Sequence, residues 1–134
     1  MTTFLVDNSV WQRAGRNEKI ARRLHEVAAR DLIIACPPQV AEYCHSARTA
    51  AEYVELRRDM EILLPAWEHP TAELVLDIQQ ALWESGLVRA AAAFDCVVAG
   101  YAVANDAVIL NADKGFGYLE RATAGLVRQE YLAP

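Results

Sequence analysis

Apolar residues fall along the chain in two kinds of run. Phe4-Leu5-Val6, Leu32-Ile33-Ile34-Ala35-Cys36 and Val108-Ile109-Leu110 are short and continuous, which reads as buried strand. Elsewhere the apolar positions recur at helical spacing. Ile20, Leu24, Val27 and Ala28 predict an amphipathic helix from about 17 to 30, with Lys19, Arg22, Arg23 and Arg30 on its other faces. Between the first strand and that helix, Asp7-Asn8-Ser9 favour turns and helix N-caps, so a switch from strand to helix is expected there. Pro37-Pro38 stop the second strand and suit the start of a helix that runs toward Arg48 and carries Glu42.

The rest of the chain continues this alternation. Ala50 to Leu63 reads as helix, and Pro65 with His69-Pro70 punctuates a connection that has room for a minor strand. Thr71 suits the cap of a helix whose stripe is Val75, Ile78 and Leu82 and which Gly86 ends. A small-residue helix is expected from about 93 to 104, then a turn at Asn105-Asp106, the third strand, a polar loop from Asn111 to Gly115, a short helix and a last strand from Leu126 to Glu130. Strands alternating with helices predict an α/β fold with a mostly parallel central sheet covered on both faces. At 134 residues, with no repeat or linker, the chain is expected to be one domain spanning 1–134.

A hydrophobic content of 54% against 23% charged residues excludes disordered and low-complexity classes. The longest apolar stretch, Ala90 to Ala104, is broken by Asp95 and falls short of the roughly 20 residues that span a bilayer. Met1 to Asp7 lacks the basic start of a signal peptide, so a cytoplasmic protein without a membrane segment is expected. Cys36, Cys44 and Cys96 have neither disulfide-framework nor zinc spacing and are expected to be free, buried thiols. Trp11, Trp67 and Trp83 are expected in the core or an interface, with base stacking by Trp11 as the alternative. No Gly-rich phosphate loop is present, and His25, His45 and His69 lack ligand spacing.

Net charge is −5, the wrong sign overall for a nucleic-acid binder, but its distribution is uneven. The segment from Arg13 to Arg30 carries +4 and the remainder −9, so the basic run is either a solvated helix face or a rim that captures an anionic polymer.

Two acids, Asp7 and Asp113, lie where a buried strand has just ended, the place where open α/β sheets bind ligands. Taken singly, each reads equally as a helix cap. Asp95 is the sole charge in its apolar run; a carboxylate in a buried helix must be neutralised, paired or bound to a cation. Glu42 reads either as a solvent-facing helix acid or as a fourth member of the group. Convergence of such acids in one cleft calls for a divalent cation, and hard oxygen donors without His or Cys favour Mg²⁺ or Mn²⁺. Such ions orient water and neutralise charge in phosphodiester hydrolysis.

Phe4-Leu-Val-Asp7-Asn-Ser9-Val-Trp11, the helix acid Glu42, Phe94-Asp95-Cys-Val-Val-Ala-Gly-Tyr101 and Ile109-Leu-Asn-Ala-Asp113-Lys-Gly-Phe116 together resemble the PIN-domain ribonucleases, specifically the VapC-type toxins of bacterial toxin-antitoxin systems. The resemblance covers nearly the whole chain. It implies a three-layer α/β/α domain in which Asp7, Glu42, Asp95 and Asp113 hold Mg²⁺ or Mn²⁺ for endonucleolytic RNA cleavage, with Ser9 supporting the site. It also implies a cognate VapB-type antitoxin and a homodimer. One departure is Gly115, where relatives often carry a further acid before the aromatic matched by Phe116. Arg13 and Arg16 are the expected contacts to RNA phosphates. Two other readings compete. A haloacid-dehalogenase-like phosphatase also has an aspartate after its first strand but needs Asp-x-Asp, and Ser9 holds the second position. A catalytically degenerate PIN-like domain would keep the fold and bind RNA or protein.

Overall fold

The computed structural model describes residues 1–134. Its first strand, β1 (Thr3–Val6), ends at Asp7, whose carboxylate accepts the Ser9 backbone N–H and caps α1 (Asn8–Ala14). Asn17 caps α2 (Glu18–Arg30) in the same way through the Ile20 N–H. β2 (Leu32–Ala35) passes through Cys36 into α3 (Pro37–His45), with proline at the helix start, where a missing N–H costs nothing. That helix stops three residues before the expected Arg48, because Thr49 must leave helical geometry to accept the Glu52 N–H and cap α4 (Ala50–Glu61). The minor strand exists as β3 (Leu64–Pro65).

Thr71 caps α5 (Ala72–Glu84), and Gly86 follows it in the left-handed region at φ +72°. α6 (Ala93–Ala104), β4 (Val108–Asn111), α7 (Gly115–Ala122) and β5 (Arg128–Tyr131) complete the chain. β5 starts two residues later than the apolar pattern suggests. Ala124 and Gly125 both have positive φ and reverse the chain, which leaves Leu126 outside the sheet and 54% exposed.

All five strands are parallel, in the order β3-β2-β1-β4-β5. Side chains alternate across the sheet and build a core on each face. Leu5, Ile34 and Ile109 pack with Ile78, Leu82, Val98, Phe116 and Leu119 on one side. Phe4, Val6 and Leu110 pack with Val10, Ile20, Leu24 and Val27 on the other. The result is three layers, helix, sheet and helix. No helix is long and apolar enough to cross a membrane.

Packing departs from expectation at two places. α6 buries Cys96, Val98, Ala99, Gly100 and Ala102, but its first turn emerges, with Phe94 37% exposed and Asp95 only half-buried. A Cβ on Gly100 would come within 2.9 Å of Val75 Cγ2 and 3.2 Å of Pro70 Cβ, so glycine is what lets the two helices approach. Trp11 is half-buried and donates its indole N–H to Val6 O at 3.2 Å, whereas Trp67 and Trp83 are surface residues. Cys36, Cys44 and Cys96 are free and buried as expected.

Asn105, which the sequence offers only as a turn residue, is a clamp. Its Oδ1 accepts the N–H groups of Trp67 and Glu68, and its Nδ2 donates to Glu68 O and Tyr101 O at 2.9 and 2.8 Å. Asn105→Ala strands these backbone groups and is expected to lower unfolding stability by about 2 to 3 kcal/mol, read from the denaturant midpoint at unchanged m value.

Candidate active site

The strand order turns around between β1 and β4: the chain runs outward through β2 and β3 on one side, then returns to lay β4 and β5 on the other. Crevices at such switch points, beyond the carboxyl ends of the strands, are where α/β sheets hold ligands. Asp7 leaves β1 and Asp113 follows β4 into this crevice. Glu42 reaches it from the middle of α3 and Asp95 from the first turn of α6. All four line one cavity of about 520 Å³ together with Ser9, Gln12, Arg13, Lys114 and Tyr131. A second cavity of about 530 Å³ between α3, α4 and β3 is largely apolar and contains none of the four. The chemistry-bearing groups therefore select the acidic one.

Local hydrogen bonds fix these carboxylates. Ser9 donates its hydroxyl to Asp7 Oδ2 at 2.6 Å and its backbone N–H to the same oxygen at 3.0 Å. The Ser9 hydroxyl also accepts the Ala112 N–H at 2.9 Å, so one side chain joins the ends of β1 and β4. Beneath Asp113 lies fully buried Asn111, whose amide donates to Ile109 O, Gln129 Oε1 and Glu130 O. With its nitrogen committed, its Oδ1 accepts the Asp113 N–H at 3.2 Å. Asp113 Oδ1 in turn accepts the Gly115 N–H at 3.0 Å. Asn8 and Gln39 pair reciprocally at 3.2 Å and bind α1 to α3, the helix that carries Glu42.

Like charge makes this site costly to ionise. Desolvation, then Asp113 and Asp7, push the Asp95 carboxyl up to about 7. Desolvation likewise raises Asp7, against the hydrogen bonds from Ser9, and raises Glu42 with added repulsion from Asp7 and Asp113. The acids share the cavity without crowding to metal-ligand spacing, for no three of them are arranged to hold an ion. Their donor set nonetheless fits a hard divalent cation, since carboxylate and hydroxyl oxygens line the cavity and neither Cys nor His does.

Of the other expected residues, Arg13 lines the cavity and donates to Ser9 O at 3.0 Å, whereas Arg16 lies beyond the end of α1, outside the wall. Arg23 is a structural member of the basic run. It forks onto Glu130 at 2.7 and 2.9 Å and ties α2 to β5. A Cβ on Gly115 would lie 3.2 Å from Asp95 Oδ2, so glycine there makes room for that carboxylate. Sequence reading missed Lys114 and Tyr131 in the wall. The first was adjacent to a marked acid, while the second enters only through the pairing of Asn111 with Tyr131 across β4 and β5.

An all-parallel sheet with acids at its switch point places the chain in the class of PIN-domain folds, and solved structures agree over almost its whole length. VapBC2 from Rickettsia felis, bound to a promoter DNA fragment, superposes with TM-score 0.70 at 13% identity, covering 97% of this chain and 98% of the other. FitAcB from Neisseria gonorrhoeae gives 0.68 at 20% identity over 94% and 95% of the two chains. DNA-bound VapBC from Salmonella typhimurium gives 0.66 at 17% identity over 98% of each. No protein-family model matches. Ribonuclease VapC6 of Mycobacterium tuberculosis is 30% identical over 102 residues, 75% of this chain and 80% of that relative. The chain belongs to the VapC ribonuclease family.

The raised Asp95 carboxyl sets a pH dependence. Its folded pKa of about 7 exceeds the unfolded aspartate value of roughly 3.9, so the native state holds the proton more tightly. The stability linked to that proton is fully present below about pH 4 and is lost as pH rises through 7. In chelator-treated protein, wild type should lose stability across this window relative to Asp95→Asn, which cannot ionise. After discounting for water contact the difference at pH 8 is about 1 kcal/mol, or roughly 4 °C in Tm, and it should vanish near pH 4.

Proposed function

We propose that this chain is a Mg²⁺- or Mn²⁺-dependent endoribonuclease toxin that acts in the cytoplasm and is neutralised by a VapB-type antitoxin. The observation that carries the reading is the meeting of Asp7, Glu42, Asp95 and Asp113 in one crevice from four separate elements. Membership of the VapC family supports RNA as the substrate, and VapBC complexes among the similar folds support the partner. We further propose that it forms a homodimer; Leu76 and Trp83 leave apolar surface exposed on α5, of the kind a second copy covers.

In this reading Asp7, Asp95 and Asp113 would hold the cation, and Glu42 would either join them or orient the attacking water. A bound divalent ion neutralises charge on the phosphoryl oxygens and lowers the pKa of water. Ser9 keeps Asp7 turned to the site through Oδ2. Asn111 and Gly115 hold the loop that presents Asp113. Arg13 meets the RNA backbone at the cavity wall, with Arg16 further along the strand.

Induced expression in bacteria tests the activity without knowledge of the substrate. Wild type should arrest growth and yield discrete RNA fragments, while Asp7→Ala and Asp95→Asn, losing at least about a hundredfold in rate, should do neither. With purified protein, Mn²⁺ at a hundred times its Kd should stabilise wild type by about 2.7 kcal/mol and leave Asp95→Asn unmoved. Intact RNA together with no metal shift in soluble wild type would make the chain a catalytically degenerate PIN-like module that binds RNA or protein.

The two arginines have a separate readout. Arg13→Ala and Arg16→Ala should each flatten the dependence of log K on log salt for single-stranded RNA by about 0.7, and an unchanged slope removes the role.

A further inference from the structure

Beside the acidic cavity lies a smaller groove of about 380 Å³, lined by Lys114, Gly117, Tyr118, Arg121, Gln129 and Tyr131. It shares Lys114 and Tyr131 with the acidic cavity, so the two are continuous along the edge of the sheet. Its chemistry is the opposite of its neighbour's. Two cations and two aromatic rings line it, and no carboxylate does. Glu120, the acid carried by α7, turns instead to Gln129 and accepts its backbone N–H and its Nε2 at 3.4 and 3.1 Å. On the far side of the acids, by contrast, the adjoining cavity keeps Glu42, Asp95 and Asp113 in its wall.

The groove is also pre-set. Arg121 is exposed, yet its guanidinium sits over the Tyr118 ring at 5.4 Å, which holds the charge at the wall. Gln129 is pinned between Glu120 and Asn111. Gly117 contributes no side chain, and a Cβ there would meet nothing closer than Gln129 Nε2 at 3.9 Å. The Tyr131 ring is the one left without a stacking partner, and that residue is 38% exposed on an edge strand.

We propose that this groove is a subsite for a nucleotide of single-stranded RNA flanking the cleaved bond, with Tyr131 stacking on the base and Lys114 and Arg121 meeting the phosphates. The inference rests on the ribonuclease reading above. It answers a problem that reading creates: the acids repel a polyanion, and a strand must find positive charge directly beside them. Aromatic rings interleaved with cations, rather than either alone, are what single-stranded nucleic acid selects.

The test is binding of a fluorescein-labelled, unstructured RNA oligomer of mixed sequence to full-length protein carrying Asp95→Asn, which prevents cleavage. In that background Tyr131→Leu should weaken binding about tenfold and Tyr131→Phe should restore it. Arg121→Gln should flatten the plot of log K against log salt by about 0.7, whereas Arg48→Ala, which removes the same charge from the connection between α3 and α4, should leave the slope alone. Thermal unfolding checks that each variant folds. Equal effects of Arg121→Gln and Arg48→Ala, or unchanged affinity for Tyr131→Leu, would overturn the subsite while leaving the ribonuclease reading intact. Unchanged RNA affinity with lost capture of the cognate antitoxin would assign the groove to that protein and overturn the proposal. No RNA binding by the Asp95→Asn parent, together with intact RNA when wild type is expressed, would remove the ribonuclease reading and the subsite with it.

Discussion

Parallel pairing of β1 with β4 forces two carboxylates to the same carboxyl end of the sheet, and the remainder of the site is organised around tolerating them. The Asp7 N–H donates to Leu110 O and the Ala112 N–H to the Ser9 hydroxyl, both at 2.9 Å, so the strand ends are fastened to each other beside the repelling groups. Asp7 is 6% exposed, and desolvation alone raises its pKa before Asp113 adds repulsion. Cores on both faces of the sheet supply the stability that offsets this conflict. A fold that stores like charge at one place is stabilised by whatever neutralises it there, which links folding to ligand in a single crevice.

The arrangement also explains how an acidic protein can address a polyanion. Net charge is −5, but charge acts locally once separations exceed a Debye length of about 8 Å at physiological salt. What matters is the order of charges along the crevice: Arg13 on the α1 side, the four acids in the middle, then Lys114 and Arg121 toward α7. The basic run that stands out in the sequence contributes less than its +4 suggests, because Arg23 is forked onto Glu130 and lies 5.9 Å from the Phe4 ring as part of the α2–β5 contact. Positive charge at the site comes from residues far apart in the chain.

Most of the fold was legible because its signals are local. Continuous apolar runs marked β1, β2 and β4, the helical spacing of Ile20, Leu24 and Val27 placed α2, and the cap at Thr71 placed the start of α5. Errors arose where a competing local demand was read too late: Thr49 capping α4 shortens α3, and the positive φ at Ala124 and Gly125 delays β5. Asp7 and Asp113 were visible through their positions after strands and Asp95 through its place in an apolar helix, whereas Glu42, in a mixed helix, was marked out only by the family resemblance. Tyr131 was not visible, since its place depends on a parallel register set by nonlocal pairing, and neither was the Asn105 clamp, whose partners lie 37 and 38 residues away. Periodicity reports which face a residue takes; it carries no information on which distant backbone group that face will meet.

Gly115 shows how one position in the loop bears on the acid beside it. Set against its family, it looks like an acid lost from the loop before Phe116. In the structure its α-carbon borders Asp95, and an added Cβ would stand 3.2 Å from Oδ2 and 3.4 Å from Ala91 Cβ. Any larger residue must therefore push against either a carboxylate that already resists ionisation or a buried alanine. A fifth carboxylate placed there would add repulsion to a group raised to about 7. Glycine instead gives Asp95 the space to sit at the N-terminal end of α7, beside the N–H that Asp113 already accepts. The absent side chain thus leaves open the space that Asp95, brought in by the apolar helix, occupies beside the start of α7.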